Sequence, residues 1–142
     1  MTTGAEMGEQ EMNRFQTKVL AEGRDAVAPD GSDVRVLVCV RGGSMAHFSL
    51  GAHRISRAVR HRSVEEIWYF VSGRGEMWRR QDGFASVVEV FAGVSVTIPV
   101  GTEFQFRALG EEALAAVGVT MPAWPGDDEA ELVEGVWEAA EG

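Results

Sequence analysis

The sequence predicts an all-β fold, a single sandwich or barrel of short antiparallel strands. Short apolar stretches rich in β-branched residues recur from Val34 to Met121. Turn signals built on glycine ("RGGS", "SGRG", "QDG", "FAG", "PVG" and "LGEE") separate them. The intervals leave no room for crossover helices, so neighbouring strands pair antiparallel.

Taken in order, residues 1–11 are polar and acidic and read as a loose arm. Met12, Phe15, Val19 and Leu20 then fall at helical spacing, although a strand fits this stretch nearly as well. The segment "APDGSD" is a turn, punctuated by Pro29 and Gly31. Strands are predicted at Val34–Val40, Met45–Leu50, Ile55–Arg60, Glu66–Ser72, Gly75–Arg80, Ser86–Val90, Val94–Ile98, Phe104–Leu109 and Leu114–Met121. Residues 12–126 thus form one domain. Pro122 and Pro125 end the last strand.

Residues 127–142 form an acidic tail packed on the barrel. Leu132, Val133, Val136, Trp137 and Ala140 share one helical stripe, which Gly135 weakens. The tail is expected to lay Trp124 and Trp137 on the outside of the barrel. Several strands are apolar on both faces. Glu66, Trp68 and Phe70 share one side of their strand; Ile67, Tyr69 and Val71 share the other. A half-exposed sheet alternates with polar residues, so something is expected to cover the outside, and a homodimer is the preferred account.

A chain of 142 residues is one domain in size, and 45% hydrophobic with 25% charged residues is ordinary for a globular protein. The net charge of -9 repels nucleic-acid phosphates. Arg54, Arg57, Arg60 and Arg62 form a local basic strip that holds an anion, pairs with the acidic tail or lines a solvated strand face. The single cysteine, Cys39, lies in the apolar run "VRVLVCV", where a thiol is a small buried hydrophobe rather than a nucleophile. The expectation is a cytoplasmic protein without a signal peptide or membrane span.

Two segments carry a further signal. "HRSVEEIWYFVSGRGEMW" starts at His61 and "GVSVTIPVGTEFQFRAL" starts at Gly93. They resemble the two signature motifs of the cupin superfamily. The first motif is glycine, five residues, His-x-His, three or four residues, glutamate, six residues, glycine. Gly73, Glu66 and His61 match it, while His53 and Val59 stand at the first glycine and first histidine. The second is glycine, five residues, Pro-x-Gly, two residues, histidine, three residues, asparagine. Gly93, Pro99 and Gly101 match; Phe104 and Ala108 replace the histidine and asparagine. The resemblance covers roughly Val34 to Met121. It implies a double-stranded β-helix, the cupin jelly-roll barrel, with short helical or irregular arms at its ends.

In cupins that keep all four ligands, three histidines and a glutamate hold a divalent metal inside the barrel. Val59 and Phe104 have no lone pair to give, so the expected cofactor is none. The alternative is a divalent transition metal held by His47, His61 and Glu66. Without metal, the period-2 rule turns Val59, Trp68, Phe70, Phe104 and Phe106 inward, with His47 as a further candidate for the lining. An apolar pocket holding His61 and Glu66 suits a small organic ligand. The same pair also suits acid–base catalysis of an isomerase, dehydratase or cyclase type, with His61 transferring the proton and Glu66 orienting it.

Overall fold

The computed structural model describes residues 14–140. Eleven strands lie in chain order: β1 (Ala26–Val27), β2 (Asp33–Val40), β3 (Gly43–Leu50), β4 (Val59–His61), β5 (Glu65–Ser72), β6 (Arg74–Gln81), β7 (Phe84–Phe91), β8 (Ser95–Ile98), β9 (Glu103–Ala108), β10 (Leu114–Met121) and β11 (Ala130–Leu132). They form two antiparallel sheets, β1-β2-β3-β10-β5-β8 and β11-β4-β9-β6-β7. Among the described residues no helix is long and apolar enough to cross a membrane.

The core lies between the sheets because each strand turns alternate side chains inward. On β5, Glu66, Trp68 and Phe70 are buried, while Ile67 and Tyr69 stay about half exposed, at 50% and 52%. Leu50, Val59, Met77, Val90, Ile98, Phe104, Phe106 and Leu114 complete the main cluster with Trp68 and Phe70. Each large apolar side chain buried in this way contributes roughly 1.5–3 kcal/mol. The predicted strand at 55–60 is shorter than expected: only Val59–His61 pairs as a strand, with an isolated bridge at Ile55.

Both ends depart from helical expectation. Residues 1–11, Met12 and the last two residues lie outside the described residues. Residues 15–21 are neither helix nor strand, and Phe15 and Val19 face solvent. The stretch is held against β2 by side chains. Gln16 donates to the Cys39 carbonyl and accepts from its amide, and Lys18 donates to the Val36 carbonyl. Arg35 of β2 returns two bonds, to the carbonyls of Ala21 and Glu22.

The C-terminal stripe is not a helix because the barrel claims its backbone groups. Ala130, Glu131 and Leu132 pair with His61, Arg60 and Val59. The Val133 amide bonds the Ala58 carbonyl, and Ala140 exchanges both bonds with Ile55. Gln105, 1% exposed, accepts from the amides of Val136 and Trp137 and donates to the carbonyls of Ser56 and Trp137. Of the basic strip, Arg60 and Arg62 pair with Glu131 of this tail.

Candidate functional site

A cavity of about 440 Å³ opens between the sheets at the end where the arm crosses β2. Val59, Phe104, Trp68 and Phe48 make its apolar wall, and His61, Glu66 and Asp30 its polar end. The wall is a continuous set of rings. Phe48 stacks on Trp68 at 5.0 Å, Phe104 meets Trp68 edge-on at 5.8 Å, and His61 packs edge-on to Phe104 at 5.3 Å and to Trp124 at 5.1 Å. Gly118 on β10 makes room for the stack, since a Cβ there would lie 2.8 Å from both Phe48 and Trp68.

β4 and β5 bring His61 and Glu66 together. Glu66 is 3% exposed, and its Oε1 accepts from the Trp68 indole at 3.1 Å and from the Thr120 hydroxyl at 3.0 Å. Its Oε2 lies 2.8 Å from His61 Nδ1. That contact falls off the direction of the ring N–H, so it is a close ion-pair distance without a directed hydrogen bond, and both atoms are buried without another partner. The approach is attractive with a proton on either atom, Nδ1 or the carboxyl oxygen.

Asp30 is the residue that sequence reasoning missed. It sits in the turn "APDGSD", where acidic residues are common for local reasons. Its Oδ1 accepts from the Ser32 amide at 2.9 Å and hydroxyl at 2.6 Å, and its carbonyl accepts from the Arg57 amide. The side chain faces the cavity rather than solvent, and the residue is 5% exposed. Burial pushes the Asp30 carboxyl above its ordinary range. The two Ser32 bonds pull it down, Glu66 pushes it up and His61 pulls it down. Nothing local in the sequence signals this burial; it follows from the turn being folded under the barrel mouth.

Other expected residues are distributed as follows. Val59, Trp68 and Phe104 line the cavity. Phe70 and Phe106 are buried in the core cluster but are not part of the lining. His47 is not in the lining either. It pairs in register with Arg35 and Val117, on the opposite side of β3 from Phe48. Burial and the neighbouring Arg35 lower its pKa. Trp124, expected outside the barrel, belongs to the cavity wall because the Ser44 hydroxyl accepts its amide and holds it at the mouth. Trp137 does lie away from the cavity, under the Arg107 guanidinium at 4.4 Å.

These residues do not fit a divalent metal. Such an ion needs three or more donors around one point. His47 is on the wrong side of its strand to join His61 and Glu66, Val59 and Phe104 offer only hydrocarbon, and one Glu66 oxygen is already taken twice. Among the described residues no three His, Cys, Asp or Glu side chains gather to hold a metal ion.

No family model and no curated protein matches the sequence. Solved structures do match. An uncharacterized conserved protein with a double-stranded β-helix domain from Klebsiella pneumoniae aligns at a TM-score of 0.65 and 16% identity, over 84% of this chain and 100% of that one. The capsular polysaccharide assembling protein CapF of Staphylococcus aureus aligns at 0.64 and 16% identity, over 83% of this chain and 35% of that one. Oxalate decarboxylase of Bacillus subtilis aligns at 0.59 and 17% identity, over 68% of this chain and 27% of that one. This chain therefore spans about a third or less of the length of the last two. At these identities the likeness is one of fold. The chain has the double-stranded β-helix fold of the cupins, as the two motifs implied.

Proposed function

We propose that the protein binds a small organic molecule inside the barrel, held by protein groups without a metal ion, in the cytoplasm and as a homodimer. One observation carries the binding reading. The cavity of about 440 Å³ is walled by aromatic rings and ends on a buried imidazole and carboxylate whose facing atoms lack directed hydrogen bonds. Pockets of this size and character accommodate small ligands.

A plug tests it. Ala46 lines the cavity, so Ala46→Phe should fill part of it and abolish binding of any fragment that perturbs Trp68 and Trp124 fluorescence in the parent. Saturable binding that survives the plug, or no saturable binder in a broad fragment set, discards the reading. Stoichiometric uptake of cobalt or zinc by the parent discards its metal-free part. For the dimer, the exposed Ile67, Tyr69 and Val71 give β5 an apolar outer face. Sedimentation equilibrium showing a monomer at micromolar concentration removes that part.

A second reading, proton-transfer catalysis, is favoured by the 2.8 Å approach of Glu66 to His61 Nδ1, which sets an imidazole and a carboxyl side by side at the end of the cavity. Isomerisation, dehydration or cyclisation are the reaction types it suits. For a substrate found among the binders, His61→Ala should abolish turnover with an unchanged circular dichroism spectrum. Full turnover in that variant ends the catalytic reading and leaves binding intact.

A further inference from the structure

The donors next to the two buried acids of the cavity are engaged by those acids. The Trp68 indole and the Thr120 hydroxyl both donate to Glu66 Oε1. The Ser32 amide and hydroxyl both donate to Asp30 Oδ1. At the rim, Lys18 donates to the Val36 carbonyl. Glu66 Oε2 is buried against His61 at 2.8 Å, whereas the second Asp30 oxygen is not engaged by Ser32.

Charge points the same way. The lining holds three carboxylates, Asp30, Glu66 and Asp127, against Lys18 and no arginine. An imidazolium at His61 would offset one of the two buried carboxylates and leave the other. The remaining surface is aromatic, and the negative face of a ring attracts a cation with a strength that grows as water is excluded. A carboxylate or phosphate ligand would meet two buried acids without a compensating guanidinium, at a large Coulombic cost. A neutral alcohol has one O–H to give, against the two or three N–H donors of an ammonium group.

We infer that the cavity takes a small organic cation: an ammonium group on a compact apolar body, donating to Asp30 beside the charge of Glu66 while Phe48, Trp68, Phe104 and Trp124 enclose its carbon skeleton. This rests on the cavity being a binding site, and it adds the class of molecule bound.

Three probes of one skeleton separate the two claims: cyclohexylmethylamine, cyclohexylmethanol and cyclohexanecarboxylate, titrated at pH 7 in phosphate buffer by calorimetry and tryptophan fluorescence. The ammonium probe should bind at least tenfold more tightly than the alcohol, and the carboxylate should not bind. Glu66→Gln and Asp30→Asn should each bring the amine-to-alcohol ratio toward one. The ratio is measured within each variant, so partial loss of folded protein does not disturb it. An alcohol that matches or beats the amine, a carboxylate that binds, or a ratio unmoved in both variants overturns the cation assignment while binding in the cavity stands. Failure of all three probes at millimolar concentration overturns the cation assignment and counts against the binding reading, which the plug experiment then decides separately.

Discussion

Val59 and Phe104 are register partners, directly opposite each other across the β4–β9 pair. They are also the two positions at which the cupin motifs carry histidines. Both are 1% exposed, and the Phe104 ring lies edge-on to His61. The departure from the motifs is thus one contiguous patch rather than two scattered changes. One side of the polar end is hydrocarbon, and the other side carries the imidazole and carboxylate.

Restoring that patch should restore a metal centre. In Val59→His/Phe104→His the two new imidazoles stand opposite each other beside His61 and Glu66. Loss of the buried phenyl group should destabilise the metal-free variant by about 3 kcal/mol. Cobalt should then raise its melting temperature by mass action and give a visible absorption band, while leaving the parent unchanged. A double variant that ignores cobalt would show that the four positions do not converge.

Asp30 sets a pH dependence of stability. Its carboxyl is raised by burial, so between the ordinary carboxylate range and its own higher value the folded state holds a proton that the unfolded chain has released. Stability contributed by the neutral form is present below the ordinary range and is lost as pH rises through the folded value. Asp30→Asn keeps an acceptor for Ser32 and removes the titration. The melting temperature of the variant relative to the parent should therefore increase from pH 4 to pH 8. A constant offset across that range contradicts the buried, raised carboxyl.

Gln105 is the fastening of the C-terminal segment. Gln105→Ala removes four hydrogen bonds and strands the buried groups that made them. A loss of about 2–4 kcal/mol is expected. Amide exchange at Val136 and Trp137 should accelerate far more than at Trp68 or Met77. Equal acceleration throughout would mean that the segment and barrel unfold together.

At Gly118, an added methyl group would press on the stacked Phe48 and Trp68. Gly118→Ala should cost about 1–3 kcal/mol through overpacking and change the near-ultraviolet circular dichroism of the indole. Unchanged stability and spectrum would show that the stack has slack.

Much of this was legible from the chain itself. Alternation placed Glu66, Trp68 and Phe70 inward and Ile67, Tyr69 and Val71 outward, because a period of two has only one register that buries the aromatic set. At the position of the motif's first glycine, read only as a departure from the pattern, His53 has φ 63. The tail was illegible because its apolar stripe fits a helix equally well, and only Gln105, Ala58 and Ile55, far away in sequence, decide that its backbone bonds outward to the barrel. Asp30 and Trp124 escaped for a similar reason. Turn chemistry explains the first, and proline punctuation surrounds the second, so neither advertises the distant partners that fold it over the cavity.

The arm that borders the mouth of the cavity is fastened chiefly through side chains. Gln16, Thr17 and Lys18 border the chamber, yet three side-chain bonds from Gln16 and Lys18 tie them to the neighbouring strand instead of a ladder. Phe15 and Val19 already face water, so peeling the strap back exposes little new hydrocarbon. For any ligand that the cavity takes, Gln16→Ala removes two of these fastenings and should speed entry and release more than it changes affinity.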